Sequence, residues 1–266
     1  MLNKFIGNKQ IKEILQRMIS KDRVPHSLLF AGEEGVGKKQ FALEIAKSFV
    51  CQNPVNFEAC DKCNACIRAK KFTFPKAEDK KEDFQQVFFS EHPDVGIVIP
   101  YKNNILVDAV RDLEKEANFR PYQAKARIFI IDNADKLNTA KDNAANALLK
   151  TLEEPQATTY IFLISSRPDS PLSTILSRCQ VLRFAPIEAQ EIETKLLETK
   201  QFAPVDAPLI AKLARGSIGR ALKTDLTKQQ EVRGNVIKVL ESLLVKKDRA
   251  FLLKAAEELN DSKNKE

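Results

Sequence analysis

The sequence has no long apolar run, and nothing in it resembles a targeting segment or an internal repeat. Its longest apolar runs, such as residues 128–131 and 160–164, are far shorter than the ~20 residues of a membrane-spanning helix. This excludes a transmembrane helix and predicts no membrane partner. The N-terminus, "MLNKFIGNKQIKEIL", lacks the apolar stretch and cleavage site of a secretory signal. We therefore expect a cytoplasmic protein.

Histidine is scarce, with only His26 and His92 in the chain. Both lie far from the cysteines in sequence, and each flanks a predicted strand. A histidine in such a position is more often structural than a ligand or a base. No Ser/His/Asp arrangement is present, so no catalytic triad is predicted.

The composition is that of a globular protein. Of the 266 residues, 43% are apolar and 30% are charged, and the length suits one large domain with a smaller one, or two domains. The net charge of +7 favours an acidic partner such as nucleic acid. Solvated surface lysines give the same balance, so the charge does not identify a partner.

Short apolar runs alternate with segments of helical periodicity. Strands that alternate with helices form a parallel sheet covered on both faces, so we predict an α/β, doubly wound parallel sheet. After Arg183 the pattern is all-helical, with breaks near Pro204 and residues 215–220. Helices are predicted at 9–20 and over the apolar positions 41–50. The predicted strands lie within "HSLLFAG", "HPDVGIVIP", "ARIFIIDNAD" and "TTYIFLISS".

The stretch "AGEEGVGKKQ" contains a phosphate-binding motif. Gly32, Gly35, Gly37 and Lys38 fit G-x-x-x-x-G-K. Glycines allow backbone N–H groups to face phosphates, the lysine reaches the outer phosphates, and a helix N-terminus stands behind them. A strand before the motif and a helix after it complete the expected setting. The sequence therefore predicts a P-loop fold.

Two positions depart from an active P-loop ATPase. The motif continues with Ser or Thr, whose hydroxyl binds magnesium, but Lys39 stands there. An ammonium group cannot coordinate a metal ion and repels one. Asp132, at the end of a predicted strand, either holds magnesium or caps a turn. Asn133 follows it where an active hydrolase usually has Glu, and an amide cannot accept a proton as a carboxylate does.

Four cysteines indicate a metal site. Cys51, Cys60, Cys63 and Cys66 form C-x8-C-x2-C-x2-C, and disulfides are disfavoured in the cytoplasm. Four thiolates suit one tetrahedral structural Zn²⁺; the alternative is a set of reduced thiols around a lost site. Cys179 is remote and is predicted to be a small buried side chain. The lysine-rich stretch 68–86 is interpreted as an insertion or a surface loop.

Two arginines are candidates for contact with nucleotide. Arg178 in "TILSRCQ" is either a surface arginine or an arginine finger, which stabilises phosphate held by a neighbouring subunit. Arg220 in "GSIGRAL" either reaches a nucleotide in its own subunit or caps and packs a helix.

In this order the motifs resemble the AAA+ subunits of the bacterial clamp loader. They span about the first 222 residues, and the combination of "NALLKTLEEP" with "SRC" is more specific to that family than the P-loop is. The residues that carry the resemblance are "HSLLFAGEEGVGK", the four cysteines, "HPDV", "IIDNADKL", "NALLKTLEEP", "TILSRCQ" and "GSIGRAL".

The resemblance implies a role in a ring that uses ATP to open a sliding clamp and place it on primed DNA. It is closest to the subunit class that carries a zinc module and generally does not hydrolyse ATP. In that class the Ser-Arg-Cys arginine faces the nucleotide of the adjacent motor subunit, a role that falls on Arg178. Lys39 and Asn133 agree with this class. ATP binding by Gly32, Gly35, Gly37, Lys38, Lys39, Asp132 and Arg220 stays open, whereas hydrolysis is not expected.

The resemblance also implies partners and domains. The partners are motor and delta subunits, with the clamp and primed DNA reached through the assembled complex. The expected domains are an AAA+ P-loop domain at 1–185, with the zinc module at about 51–66, a helical lid at 186–228 and a helical collar segment at 229–266. The family's collar is longer, so either the collar is shortened or the chain is truncated.

Two other functions are consistent with the residues. The first is an active ATPase motor subunit of the same loader, which would need an unusual magnesium site. The second is a zinc-dependent nucleic-acid module built from the cysteine segment and the lysines after it. As a non-hydrolysing subunit, the chain would not be catalytic on its own within the polymerase holoenzyme.

Overall fold

A computed structural model describes residues 2–56, 58–76, 78–137, 144–167, 173–199 and 201–226, together with 234, 236 and 237. The chain forms two compact units, Met1–Leu222 and Lys223–Glu266, and the first is described below. The predicted collar at 229–266 lies almost wholly outside the described residues. The predicted domain limits at 185 and 228 stay predictions.

A six-stranded sheet forms the centre of the first unit. Its strand order is β2-β3-β4-β5-β1-β6, and all neighbours are parallel except β2, which is antiparallel to β3. The predicted parallel sheet is therefore confirmed, with β2 and β6 added to the strands expected from sequence. The strands are β1 (Ser27–Ala31), β2 (Phe88–Phe89), β3 (Val95–Val98), β4 (Arg127–Ile131), β5 (Thr159–Ser165) and β6 (Gln180–Arg183).

Helices follow the predicted order along the chain. Within the described residues, none is long and apolar enough to cross a membrane. Short 3₁₀ helices lie at Leu2–Lys4, Lys81–Phe84 and Ala134–Leu137. The α-helices are α1 (Lys9–Ser20), α2 (Lys38–Val50), α3 (Asn64–Arg68), α4 (Val107–Ala117), α5 (Ala144–Glu153), α6 (Ser173–Leu176), α7 (Ala189–Thr199), α8 (Ala207–Leu213) and α9 (Ile218–Lys223).

The sheet is covered on both faces. Leu28 and Phe30 of β1 belong to one buried cluster, with residues of α1 and α2. Leu29 and Ala31 belong to a second cluster, with residues of α4 and α5. Because side chains alternate along a strand with a period of two, a continuous apolar run supplies both faces. The short, unbroken apolar runs of the sequence are explained by this double coverage.

The carboxyl ends of three adjacent strands lie together at one edge of the sheet. β5 lies between β1 and β4, and the register pairs Ala31 with Ser165 and Ile131 with Leu163. The glycine-rich loop after β1 and Asp132 after β4 therefore start at the same edge, on either side of β5. Ligands of open α/β sheets bind at this edge.

The lysine-rich stretch 68–86 is only partly the surface loop expected from sequence. Phe84 is buried, Phe72 pairs with Ser90 beside β2, and the Phe72 and Phe74 rings stack with centroids 5.5 Å apart. The expectation of a surface loop rested on the many charged residues of this stretch. The spaced phenylalanines, however, provide apolar surface that packs against the sheet. The segment packs beside β2 at the edge of the sheet.

Candidate functional site: the phosphate loop, the cysteine cluster and Arg178

The phosphate loop joins β1 to α2, as predicted. Gly37 occupies the N-cap of α2 with φ 99°, and Gly35 has φ 78°. Positive φ in this range favours glycine, because other residues are strained there. A Cβ atom on Gly35 would also stand 2.2 Å from Ser217 Oγ. The loop therefore needs glycine at position 35 both for its backbone and for contact with the helical segment around Ser217.

Lys38 bonds to the loop that carries it. Its side chain is buried, and Nζ donates hydrogen bonds to the carbonyl oxygens of Gly32 at 2.7 Å and Glu33 at 2.6 Å. Burial lowers the pKa of Lys38, although Glu34 and other nearby carboxylates oppose the shift. In this arrangement the ammonium group has two acceptors without any phosphate.

Lys39 and Asp132 form an ion pair. Nζ of Lys39 lies 2.9 Å from Asp132 Oδ2, while Asp132 Oδ1 accepts a hydrogen bond at 3.1 Å from the backbone N–H of Asn133. Both carboxylate oxygens therefore have donors, and one donor is a cation. A magnesium ion at this carboxylate would have to displace the ammonium group and overcome its charge. Lys39 also lies over the Phe74 ring, 5.6 Å from its centroid.

Asp135 is a polar contact of the site that the sequence interpretation missed. Its Oδ1 accepts a hydrogen bond from the backbone N–H of Ser166 at 3.0 Å, and the Ser166 hydroxyl lies 3.3 Å away. These bonds fix the loop after β4 to the end of β5, beside the phosphate loop. The second carboxylate in "IIDNADKL" was the available signal, but only the fold brings it to β5.

A helical segment closes against the phosphate loop. The backbone N–H of Gly219 donates to the Gly35 carbonyl at 2.9 Å. The N–H of Arg220 donates to Ser217 Oγ at 3.1 Å, and Arg220 Nη1 donates to the Ala214 carbonyl at 3.3 Å. Of the two predicted roles of Arg220, capping and packing account for these contacts. Its contact with nucleotide stays a prediction.

Four cysteine sulfurs gather in one cluster, as the spacing predicted. The Sγ atoms of Cys51, Cys60, Cys63 and Cys66 all lie within 4.8 Å of one another, and Cys51 and Cys63 are 4.0 Å apart. A tetrahedral ion with metal–sulfur bonds of about 2.3 Å separates its sulfurs by about 3.8 Å. Small side-chain adjustments would therefore place all four thiolates on one ion. The cluster can hold a metal ion.

Backbone N–H groups face the sulfurs. The N–H groups of Cys60, Cys63 and Cys66 donate to the sulfurs of Cys51, Cys60 and Cys63 at 3.2–3.5 Å. Burial opposes ionisation of Cys63, but N–H donors from Cys66 and Gln52 outweigh it and lower its pKa to about 6. Such bonds stabilise thiolate, the form that binds metal. Burial instead raises the pKa of Cys51 and Cys66, so these two thiols ionise only when a cation is close by. The donor set therefore fits a thiolate-bound ion.

Arg178 lies between α6 and β6. Its Nε donates to Glu153 Oε1 at 2.7 Å, Nη2 bonds to the same oxygen, and Nη1 donates to the Thr174 carbonyl at 2.9 Å. Its side chain keeps 31% exposure. Among the described residues, no hydrogen bond joins Arg178 to the phosphate loop. The structure thus brings Lys38, Lys39 and Asp132 to one site and places Arg178 elsewhere on the surface.

The remaining candidates from sequence make structural contacts. His26 Nδ1 lies 2.8 Å from the Thr159 carbonyl oxygen, and the buried His92 accepts a hydrogen bond at Nδ1 from the Asp94 N–H at 3.2 Å. These contacts agree with the structural roles expected for both histidines. Cys179 is partly buried, and burial raises its pKa to about 12; it is not one of the four clustered cysteines.

These features together define a P-loop protein of the AAA+ class. Among solved structures, a mutant of Thermotoga maritima RuvB matches with a TM-score of 0.51 over 97% of this chain and 72% of that chain. Its sequence identity of 17% supports the shared fold alone.

The sequence comparisons are more specific. Residues 7–188 match the family described as "DNA polymerase III, delta subunit", and the chain belongs to this family. It is 33% identical to DNA polymerase III subunit delta' of Bacillus subtilis over 91% of this chain and 67% of the relative. Against subunit delta' of Escherichia coli the identity is 32%, over 74% and 53% respectively.

A third relative, DNA polymerase III subunit tau of Bacillus subtilis, is 30% identical over 96% of this chain. The chain spans 67%, 43% and 53% of the lengths of the Bacillus subtilis delta', Bacillus subtilis tau and Escherichia coli delta' subunits. The resemblance drawn from the sequence, most closely to the delta-prime subunit, is confirmed.

Proposed function

We propose that this chain is a clamp-loader subunit of bacterial DNA polymerase III, of the delta-prime type, that does not hydrolyse ATP. Its partners are the motor and delta subunits, and it helps to place the sliding clamp on primed DNA through the assembled cytoplasmic complex. Family membership supports the assembly. The Lys39–Asp132 ion pair, at 2.9 Å, is the observation that carries the absence of hydrolysis.

The chemistry of ATP hydrolysis explains why this ion pair matters. An ATPase of this fold needs a metal held by a hydroxyl and an aspartate, and a carboxylate that orients the attacking water. Here an ammonium group replaces the hydroxyl and neutralises the aspartate, while Asn133 supplies an amide. Both the metal site and the base are lost, although the loop keeps its glycines and Lys38.

Arg178 acts on a nucleotide held by the neighbouring motor subunit. Its partly exposed guanidinium binds Glu153 through Nε and Nη2. These two donors lie on one edge of the guanidinium, and this edge also suits a phosphate. A phosphate from the neighbour would take the place of Glu153 on that edge. The exchange is easy, because an ion pair at the surface contributes only ~0.2–1 kcal/mol.

The cysteine cluster holds one structural Zn²⁺. Four thiolates select a soft or borderline ion, and four protein ligands leave no position for water or substrate. The metal would close the loop between α2 and α3 and supply no catalytic chemistry. Metal analysis of the purified chain should give one zinc per chain, and a cluster that binds no metal would remove this part of the proposal.

The test of the catalytic roles mixes this chain with candidate motor and delta subunits and measures co-elution and ATPase. Arg178→Ala should lower turnover at the affected site by about 10³-fold or more, the scale of a lost arginine finger. Arg183→Ala, an exposed arginine on β6, is the matched control and should leave the rate unchanged. The same rate with Arg178→Ala would remove the assignment.

The purified chain alone should show no ATP hydrolysis. Hydrolysis by the chain that Lys38→Ala abolishes would instead identify an active motor subunit. DNA binding by the isolated chain that is lost on chelation, with the fold and partner binding kept, would favour the zinc-dependent nucleic-acid module.

A further inference from the structure

A network of four charged side chains lies beside the cysteine cluster. Lys47 Nζ bonds to Glu44 Oε1 at 2.6 Å and to Asp61. Lys4 Nζ bonds to the same Glu44 oxygen at 2.6 Å and to Asp61 Oδ2 at 2.9 Å. Two ammonium groups thus alternate with two carboxylates. The network joins the N-terminal 3₁₀ helix, which is remote in sequence, to α2 and to the metal loop that follows α2.

The centre of the network is buried. The side chains of Lys47 and Glu44 are 3% and 8% exposed, so Lys47 has little access to water. A buried ammonium group is tolerated only when carboxylates surround it, and loss of one partner leaves an uncompensated charge. Lys47 therefore holds Asp61 in a defined place, whereas an exposed pair would allow the loop to move.

Asp61 lies between two metal ligands, one residue after Cys60 and two before Cys63. Its backbone is left-handed, with φ 59°, a conformation that Asp and Asn adopt more readily than most residues. Its carboxylate is bound to Lys47 on α2, the helix that ends just before Cys51. The ion pair thus fastens the loop with Cys60 and Cys63 to the helix that leads into the first ligand.

A second tie holds the same loop. Glu58, two residues before Cys60, accepts hydrogen bonds from Gln16 Nε2 of α1 at 2.9 Å and from the Leu2 N–H at 3.3 Å. The loop is therefore anchored on both sides of Cys60. The anchor at Asp61 differs in kind, because it uses a buried charge and lies inside the C-x2-C turn.

We propose that Asp61 and Lys47 are positioning residues of the metal site, which set the thiolates in place before the ion binds. This inference rests on the metal-binding part of the proposed function. Neither residue is one of the four candidate ligands; each acts through the conformation of the C-x2-C turn. Residues that orient ligands in this way typically change metal affinity by about 10–100-fold when substituted.

The test titrates the full-length chain with Zn²⁺ in competition with a chromophoric chelator. Asp61→Asn keeps a residue that tolerates the left-handed backbone and removes the charge. Lys47→Gln removes the partner. Each should weaken zinc binding about 10–100-fold. The double variant should lose about as much zinc affinity as the weaker-binding of the two single variants, because the two residues act as one unit.

Lys62→Gln is the matched control. Lys62 is exposed and next to Asp61. Lys62→Gln removes the same charge as Lys47→Gln, but its affinity for zinc should stay within about threefold of wild type, because charges at the surface interact weakly. An equal loss in Lys62→Gln and Lys47→Gln would overturn the proposal, since bulk positive charge near the thiolates would then explain both.

Circular dichroism and thermal unfolding of the metal-free variants separate positioning from folding. A metal-free Asp61→Asn chain with native secondary structure and weakened zinc binding supports the proposal. Asp61→Asn and Lys47→Gln chains that bind zinc like wild type overturn it. Failure of the wild-type chain to bind zinc would instead refute the metal site itself, so the two failures are distinguishable.

Discussion

The two ends of α2 differ in how completely they carry the groups of a ligand site. At the first end, Gly37 caps the helix and Lys38 begins it, so the framework of a phosphate site is intact, but the hydroxyl and the catalytic carboxylate are replaced. At the second end, Cys51 follows Val50, and four cysteine sulfurs that could hold a metal ion lie together. A site is therefore judged by the groups that would contact its ligand, and not by the backbone framework alone.

The same electrostatic device has opposite consequences at the two ends. Each end pairs a lysine of α2 with an aspartate outside the helix, Lys39 with Asp132 and Lys47 with Asp61. At the phosphate end the ammonium group of Lys39 is paired with the carboxylate that would otherwise bind metal. At the cysteine end the ammonium group of Lys47 holds a carboxylate that is not a ligand, and so supports the site. The effect of an ion pair beside a metal site therefore depends on whether its carboxylate is needed as a metal ligand.

Removal of a cysteine from the cluster should weaken metal binding more than any other change proposed for α2 and its flanking loops. Cys66→Ser should weaken zinc binding by about 10²-fold or more, because the ~10–16 kcal/mol typical of a structural zinc site is shared among four ligands. Chelator competition measures the loss. Cys179→Ser, outside the cluster, is the control, and an equal loss in both variants would show that the cluster is not the binding site.

Substitution of a phosphate-loop glycine tests whether the loop at the N-terminal end of α2 has a structural role. Gly35→Ala should lower the free energy of unfolding by about 1–3 kcal/mol more than Gly37→Ala, because its Cβ would overlap a neighbour. Both variants place alanine at positive φ. Only the Gly35 variant meets Ser217 Oγ, at 2.2 Å, whereas atoms near a Gly37 Cβ are 3.9 Å away.

Urea unfolding measures both variants. Ser217→Gly in the Gly35→Ala background should restore part of the difference, since it removes the hydroxyl that the new methyl group meets. Equal losses for Gly35→Ala and Gly37→Ala would show that the helical segment does not press on the loop.

Removal of the ammonium group at position 39 should have a modest effect on the phosphate loop. Lys39→Thr should strengthen magnesium-dependent ATP binding by about tenfold, because the ~1–4 kcal/mol interaction of a charge with Asp132 no longer opposes the metal. Lys39→Met removes the charge without restoring a hydroxyl, so it should gain less.

A fluorescent ATP analogue, titrated with and without Mg²⁺, measures the gain. Hydrolysis should stay absent in the Lys39→Thr variant, because Asn133 still lacks a basic carboxylate. Magnesium-dependent ATP binding by the wild-type chain, equal to that of Lys39→Thr, would show that the ion pair does not block the metal.

Sequence patterns predicted the features whose determinants are local. The apolar run of β4, the glycines of the phosphate loop and the C-x8-C-x2-C-x2-C spacing each carry their reason within a short window. Strands β2 and β6, with two and four residues, are too short to show periodicity. They exist because neighbouring strands offer them partners.

Contacts between distant segments could not be predicted. The sequence indicated that Lys39 would disfavour a metal, but the Asp132 contact requires β1 and β4 to end at the same edge of the sheet. The Gly219–Gly35 hydrogen bond and the Lys47–Asp61 ion pair likewise depend on the tertiary fold. In each case the contact itself has no signal in sequence, because its two partners come together only in the fold.

The short strand β2 also bears on how the chain behaves at high concentration. An uncovered outer strand offers a row of unpaired backbone groups to other molecules, and long, flat outer strands promote aggregation. β2 has only two residues, runs against the direction of its neighbour, and is followed by Ser90, which pairs with Phe72. Segment 68–86 therefore contacts the sheet at this side, where β2 leaves only a short row of backbone groups on which a second chain could pair.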